Sequence, residues 1–300
     1  MRFAICTSIY EAGRPFLSDW IDAAITATKG HDVCGLVAVD YFVDAKGACK
    51  RLTDTMSVDF SHAPKKATLA SVRETMITAA VRGTSDAIVF CDMDDRLSPN
   101  SITKHAEALN DADFSYGDLQ PIDTAGSTLG DTFFGKIDIP NRTSETQQIV
   151  DRNWLGFSNT AVIRDKVPPS VCNIPAAIVA VDWWFYTQLL KNGLTGARAD
   201  GVVAEYRVHT ENQLGPYAAA DIQGIKRRCE IVKSHHKALL PDPVAQKMVV
   251  DIENFMTLLE KKPEAFEPDI EKIQRQSRLW HEDICFLAAQ SSAENNHSKK

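Results

Sequence analysis

The sequence contains no long hydrophobic run. The longest candidate, residues 174–181, is far shorter than the roughly 20 apolar residues that a helix needs to cross a bilayer. The first residues, Arg2–Cys6, have the pattern of a strand, so no secretory signal peptide is predicted either. We therefore expect a protein without a membrane-spanning segment.

Paired cysteines are also absent. The seven cysteines are odd in number and scattered, none forms a CxxC pair, and several lie inside apolar runs. Zinc sites need closely spaced cysteines, whereas a single buried cysteine behaves as a small hydrophobic residue. We therefore expect no zinc site and a reducing, cytoplasmic setting.

The chain has no excess of positive charge. Its 33 Lys and Arg residues are outnumbered by 40 Asp and Glu residues, which gives a formal net charge of −7. A nucleic-acid-binding protein would show a basic face, so we expect no nucleic-acid partner. An anionic substrate stays compatible with this balance, because a bound metal ion supplies positive charge locally. A chain of 300 residues, 44% of them hydrophobic, is long enough for one large core or one domain with an appendage.

Strands and helices alternate in the first third of the chain. Apolar runs predict strands over 3–9, 33–39 and 87–91, and helical spacing predicts helices over 15–28, 67–81 and 99–109. This order is typical of an α/β fold with a mostly parallel sheet covered on both sides. Right-handed crossovers then bring the carboxyl ends of the strands to one edge of the sheet.

The rest of the chain is less regular. Residues 48–65 read as a short strand and a loop. After them we expect strands over 112–116, 160–164 and 201–209, and helices over 143–150, 183–191, 217–240, 243–260 and 268–290. The predicted organisation is an α/β domain over 1–214, a helical C-terminal extension over 215–290, and a flexible tail over 291–300.

Three carboxylates follow the third strand. The apolar run Ala87–Cys91 ends in Asp92, Asp94 and Asp95, and Ser98 and Pro99 then fit the N-cap and first position of a helix. One interpretation is that the aspartates cap or solvate this turn, but Ser98 already fills the cap. Crowded carboxylates repel each other unless a cation joins them, so we favour a divalent cation that also binds a phosphorylated substrate.

Three motifs in order resemble glycosyltransferase family 2, which has the GT-A fold. Asp92-Met-Asp-Asp95 matches the DxDD motif of the family, and Tyr206-Arg-Val-His-Thr-Glu-Asn212 matches its YRxHxxN motif. Between them, Val181-Asp182-Trp183-Trp184 lies where the family has its catalytic acidic residue. The resemblance covers roughly residues 2–212. It implies an enzyme that transfers a sugar from a nucleotide-diphosphate donor.

The resemblance assigns the metal and the base. It implies that Asp94 binds Mn²⁺ or Mg²⁺, that Asp92 contacts the metal or the ribose, and that His209 contacts the metal or the diphosphate. For Asp95 two roles stay open, a third metal ligand or a residue that only orients its neighbours. Asp182 would be the general base of an inverting transfer. From the residues alone, Asp182 is equally well explained as the N-cap of the helix that follows.

The same resemblance implies the donor site. Its expected residues are Thr7, Ser8, Tyr10, Glu11, Asp40, Arg73, Met93 and Arg207, with Arg207 as a phosphate partner. Two departures leave the nucleotide base open, although UDP is favoured. Tyr41-Phe42-Val43 stands where the family usually continues with Asp-Gly-Ser, and Glu74 stands where Asn is usual. Lys65 or Lys66 is either a phosphate ligand or a solvated lysine.

The resemblance also implies an acceptor site. Trp154, Gly156, Phe157 and Trp183, with Trp184, would contact an acceptor sugar, since aromatic faces suit sugar rings. The alternative is that these aromatic residues belong to the core. The acceptor itself, a glycan, a lipid-linked molecule or another hydroxyl compound, is left open.

The predicted activity is the transfer of one hexosyl or N-acetylhexosaminyl group by a metal-dependent enzyme. The processive synthases of the family carry QxxRW, whereas Gln274–Trp280 has those letters at the wrong spacing. Two alternatives are a non-catalytic nucleotide-sugar binding module and a sugar-nucleotide nucleotidyltransferase. The C-terminal helices would cover the acceptor side, form a homodimer contact, or approach a membrane surface through Lys226-Arg-Arg228.

Overall fold

The computed structural model of the chain describes residues 1–135, 137–209, 221–266 and 279–297. These residues form two compact units. The first contains residues 1–145, 155–176 and 185–208, and the second contains residues 146–154, 177–184 and 209–300. In the described part of the chain, no helix combines the length and the apolar character that crossing a bilayer requires.

One mixed sheet forms the centre of the first unit. Its strand order is β3-β2-β1-β4-β8-β6-β9-β5, and β7 also pairs with β9. The strands are β1 (Phe3–Tyr10), β2 (Val33–Asp40), β3 (Val58–His62), β4 (Ala87–Phe90), β5 (Arg96–Leu97), β6 (Phe114–Ile122), β7 (Arg142–Thr143), β8 (Thr160–Ile163) and β9 (Gly196–Arg207).

The first four of these strands carry the predicted α/β pattern. β1 pairs in parallel with both β2 and β4, and β3 pairs in parallel with β2, so the carboxyl ends of all four share one edge. The helices of this unit include α1 (Leu17–Ala27), α2 (Ala45–Ala48), α3 (Lys50–Thr53), α4 (Leu69–Arg82) and α5 (Ser101–Ala108). The apolar residues of β1, β2 and β4 pack against α1 in one core. The predicted fold class is confirmed.

Local corrections concern the segments between these elements. Ser98 is not an N-cap, because its N–H donates to the carbonyl of Val203 on β9 (3.1 Å) and continues the pairing of β5. Helix α5 therefore begins at Ser101, with Asn100 at the N-cap. Residues 48–65, expected as a short strand and a loop, contain the short strand β3, but helix α3 precedes it; helix α2 replaces most of the turn predicted over 44–47. Instead of a helix over 143–150, the chain forms β7 and the 3₁₀ segment Thr146–Ile149.

The helices of the C-terminal region belong to the second unit. Helix α6 (Val181–Lys191) begins in this unit, and α7 (Ile222–Ala238), α8 (Pro243–Lys261) and α9 (Glu282–His297) follow. The Asp221 and Asp242 carboxylates cap α7 and α8 by accepting hydrogen bonds from the first-turn N–H groups. Helix α9 continues to His297, within the tail predicted from residue 291, and the flexibility of that tail stays a prediction. Residues 267–278, the start of the last predicted helix, lie outside the described ranges.

Candidate active site: an aspartate cluster after β4

The aspartate cluster consists of Asp92, Asp94 and Asp95 at the carboxyl end of β4. The four residues of β4 are fully buried, and one carboxylate oxygen from each aspartate lies within 4.8 Å of the others. Burial, together with the charge of Asp94, raises the pKa of Asp92, although Arg73 opposes the shift. The pKa of Asp95 is raised well above its usual value by burial and by both neighbouring carboxylates. Oxygen ligands of this kind fit Mn²⁺ or Mg²⁺.

Arg73 on α4 compensates part of this negative charge. Its Nη2 lies 2.6 Å from Asp92 Oδ1, and its guanidinium lies 5.4 Å from the centre of the Phe157 ring. Burial acts to lower the pKa of Arg73, but the charges of Asp92 and Asp94 more than offset it, so its pKa is raised. The predicted donor-site arginine is therefore a cationic neighbour of the cluster.

Both carboxylate oxygens of Asp95 accept hydrogen bonds from other residues of the protein. Its Oδ2 accepts a hydrogen bond from the Ser158 hydroxyl, and its Oδ1 accepts one from the Arg207 N–H at 2.7 Å. Ser158 Oγ also accepts the N–H of Asp92 at 3.1 Å. This arrangement fits the expectation that Asp95 orients its neighbours.

Arg207, the last residue of β9, is 0% exposed. Its Nε donates to the main-chain carbonyl of Asp94 (2.7 Å), and its Nη1 donates to the carbonyls of Asp123 (3.1 Å) and Thr124 (3.0 Å). Its Nη2 donates to Asp19 Oδ2 on α1 (3.0 Å). A guanidinium buried in this way does not match the expected phosphate partner; instead it holds the aspartate loop to α1 and to the loop after β6.

Tyr10 and Met93 contact each other beside the cluster. The Tyr10 N–H donates to Met93 Sδ at 3.4 Å, and a Cβ at Gly13 would lie only 2.6 Å from the same sulfur. Burial, followed by the charges of Asp94 and Asp92, raises the pKa of Tyr10. Met93, predicted as a donor-site residue, is therefore part of the packing that supports the aspartates.

The other predicted donor residues lie on β1, on β2 and just after β1. Thr7 and Ser8 are buried within β1, and Asp40 is the last residue of β2. Glu11 accepts hydrogen bonds from Arg14 (2.8 and 2.7 Å) and from the Val43 N–H (2.6 Å), which lower its pKa to about 2. Glu11 therefore joins the segments that follow β1 and β2.

Tyr41 occupies a position that favours glycine. Its φ is +48°, in the left-handed region. The Tyr41 hydroxyl accepts the N–H of Lys66 at 3.1 Å, and Tyr41 is 61% exposed. Tyr41 therefore combines a left-handed backbone with an exposed aromatic ring.

The aromatic residues predicted to bind an acceptor lie in the core. Phe157 packs against Phe90 (ring centroids 4.8 Å apart) and Phe185 (5.8 Å). Trp154, in the second unit, is buried, and Trp183 is 0% exposed. None of these three rings presents a face on which a sugar could stack. The Gly156 N–H donates to Asn159 Oδ1 at 2.9 Å, which shapes the loop that carries Ser158.

Asp182 and His209 belong to the second unit. Asp182 lies in the first turn of α6, and its Oδ1 accepts the N–H of Trp183 at 2.7 Å. His209 is half-buried, and the described residues that could share one metal ion are the three aspartates. The roles predicted for Asp182 and His209 stay predictions.

Sequence reasoning did not identify Ser158 and Asp19. Ser158 lies 63 residues from Asp95 in the chain, and Asp19 lies 188 residues from Arg207. No local pattern in the sequence marks either residue, because each contact depends on the tertiary fold.

Neither protein-family models nor curated protein sequences give a match to this chain. Among solved structures, a mannosyltransferase (PcManGT) from Pyrobaculum calidifontis in complex with GDP-Man and Mn²⁺ aligns with a TM-score of 0.59 and 13% identity, over 100% of this chain and 88% of its own. S. aureus TarS 1-349 in complex with UDP-GlcNAc aligns with a TM-score of 0.57 and 10% identity, over 91% of this chain and 78% of its own. TarS 1-349 in complex with UDP aligns with a TM-score of 0.56 and 10% identity, over 89% and 74% of the two chains. The chain has the α/β fold of these glycosyltransferases.

Proposed function

We propose that this chain is a metal-dependent, inverting glycosyltransferase that moves one sugar from a nucleotide-diphosphate donor to an acceptor hydroxyl. The observation that carries this proposal is the cluster of Asp92, Asp94 and Asp95 at the carboxyl end of β4. In open α/β sheets, ligands bind outside the carboxyl ends of the strands. The similarity in fold to a mannosyltransferase solved with GDP-Man and Mn²⁺ supports the same reading.

Asp92 and Asp94 would hold the metal ion. When bound there, Mn²⁺ or Mg²⁺ would neutralise negative charge on the diphosphate leaving group, which is worth several kcal/mol in a transition state. Arg73 keeps one oxygen of Asp92 in place, and Asp95 fixes the loop through Ser158 and the Arg207 N–H. The protein thus holds both ligands in position before the donor binds.

Asp182 would act as the general base. The acceptor oxygen attacks the anomeric carbon and gives its proton to the Asp182 carboxylate, while the bond between the anomeric carbon and the diphosphate oxygen breaks. The nucleoside diphosphate leaves with the bonding electron pair, and the anomeric configuration inverts. A positioned base of this kind typically contributes about 10² to 10⁴ in rate.

We propose the donor and the acceptor as chemical classes. A UDP-sugar is the favoured donor, and a hexosyl or N-acetylhexosaminyl group is the favoured cargo. TarS was solved with UDP-GlcNAc and the mannosyltransferase with GDP-Man, so this fold accommodates both nucleotides. The acceptor would be a glycan, a lipid-linked molecule or another hydroxyl compound. We also propose the reducing, cytoplasmic setting, which the free state of all seven cysteines supports.

The C-terminal helices carry the remaining proposals. A homodimer contact and a cover over the acceptor stay predictions. Membrane approach through Lys226-Arg-Arg228 loses support, because Arg228 is buried in an ion pair with Asp283 and adds nothing to a basic surface.

The test is nucleoside diphosphate release from UDP-Glc, UDP-GlcNAc and GDP-Man, measured with Mn²⁺ and with EDTA. We expect release with at least one donor, its loss in EDTA, and its loss in Asp94→Asn. Asp111→Asn is the matched control, because Asp111 is an exposed aspartate after α5. Calorimetric donor binding without any release or transfer would favour the non-catalytic module.

A further inference from the structure

Three buried histidines surround Trp183 in the second unit. The Trp183 ring is stacked on His235 (centroids 3.8 Å apart, interplanar angle 3°) and on His281 (4.5 Å, 11°). His236 meets it edge-on at 5.4 Å and 88°. We call His235 and His281, which cover the two faces of the indole, the histidine clamp.

The polar edge of the same indole is fixed as well. Trp183 Nε1 donates to the carbonyl of Ile149 at 2.7 Å, and the side chain is fully buried. His281 reaches its place in the clamp with a φ of +70°, which is uncommon for a residue with a Cβ. Both faces of the Trp183 indole and its Nε1–H are therefore held, so the side chain has one available orientation.

Asp182 directly precedes Trp183 in the first turn of α6. Its Oδ1 accepts the Trp183 N–H at 2.7 Å, so the peptide that the indole anchors also sets the direction of the carboxylate. We propose that Trp183, fixed by the histidine clamp, is a positioning residue that aims the Asp182 carboxylate. This inference rests on the proposed function, in which Asp182 is the base.

The clamp stays neutral over the ordinary working range of pH. Burial lowers the pKa of His281 to about 3, with a further contribution from Arg228, and lowers the pKa of His236 to about 4, against the opposing charges of Asp242 and Asp151. Burial also places the pKa of His235 well below its usual value, and its neighbours His236 and His281 lower it further. Neutral rings stack without charge repulsion, so the clamp stays closed.

Removing one side of the clamp tests the proposal. We expect His281→Ala and His235→Ala to lower kcat by about 10- to 100-fold, since a misplacement of about 1 Å costs a catalytic group that much. Donor KM and the calorimetric Kd for the nucleotide with Mn²⁺ should stay within twofold. The acidic limb of the pH–kcat profile should also shift, because the surroundings of the Asp182 carboxylate change.

Two further variants separate positioning from folding. His281→Phe restores an aromatic face and should recover most of the lost kcat. His105→Ala is the matched control, because His105 is an equally buried histidine in the first unit, where its Nδ1 lies 2.8 Å from Ser115 Oγ. The His105→Ala variant should have lower thermal stability but a kcat within twofold of the wild type. If His281→Ala does not fold, His281→Gln fills the space without an aromatic face and is expected to show the same loss of kcat.

The outcomes distinguish this inference from the proposed function. Absence of transfer by the wild-type chain with every donor would refute the function itself. Full activity in Asp182→Asn would refute the base assignment and the clamp inference with it. If Asp182→Asn is inactive while the folded clamp variants keep wild-type kcat and an unshifted acidic limb, only the clamp inference is wrong.

Discussion

The buried guanidinium of Arg207 should determine both the stability of the first unit and its affinity for a metal. In Arg207→Lys the charge remains, but a lysine ammonium cannot span the four acceptors on Asp94, Asp123, Thr124 and Asp19 that the guanidinium reaches. At least two hydrogen bonds from a charged donor are lost, each worth about 1.5–3 kcal/mol. Allowing for relaxation, we expect a loss of about 3 kcal/mol, which lowers Tm by roughly 5 °C in a chain of 300 residues.

The assays are thermal unfolding and calorimetric titration of Mn²⁺ in the presence of UDP or GDP. The Kd for the metal should rise about tenfold, because the loop that carries its ligands loses an anchor worth at least 1.4 kcal/mol. Arg96→Lys is the matched control. Arg96 also faces β9, through Glu205 at 2.6 Å, but it is partly exposed, so its replacement should cost about 1 kcal/mol or less. An Arg207→Lys protein with the Tm of the wild type and the same Kd for the metal would refute this reasoning.

Three further predictions concern charge. Asp94→Asn should weaken Mn²⁺-dependent nucleotide binding at least tenfold in calorimetry, and unchanged binding would remove Asp94 from the metal site. Arg73→Gln should tighten the binding of Mn²⁺ alone, because it removes a cation 2.6 Å from Asp92; weaker binding, measured by displacement of a metal indicator, would contradict this. Finally, the free energy of unfolding should fall as the pH decreases from about 6.5 toward 4. The native pKa of His281 and of His105 is lowered to about 3 by burial, so the unfolded chain takes up more protons in that window and stability is complete above it. Each such histidine should cost about 2 kcal/mol at pH 5, and denaturant titrations of His281→Phe should show a shallower dependence on pH.

The parts of the fold that local sequence patterns determine were predictable. β4 could be found because a short apolar run must be buried on both faces, and its end is marked by Asp92, Asp94 and Asp95. The alternation of strands and helices gave the fold class in the same way. The antiparallel insertion of β8 between β4 and β6 was not predictable, since pairing direction depends on where the chain returns and not on the strand residues.

The candidate site was predictable only at the level of its carboxylates. Arg207 was identified as a functional position, but whether a guanidinium faces a substrate or the protein depends on neighbours such as Asp19, which is distant in the chain. For Trp183 the sequence left two alternatives, contact with an acceptor sugar or burial in the core. Its burial results from histidines on α7 and before α9, and no spacing rule connects them to α6.

Gly13 lies against the methionine that separates two of the aspartates in the chain. A methyl group at Gly13 would lie only 2.6 Å from Met93 Sδ. Alanine there would therefore displace the sulfur that accepts the Tyr10 N–H. Met93 stands between Asp92 and Asp94 in the chain, so the packing of its sulfur is part of the loop that carries both aspartates. Among diverged homologues, a residue with no side chain should therefore vary as little as the acidic residues above it.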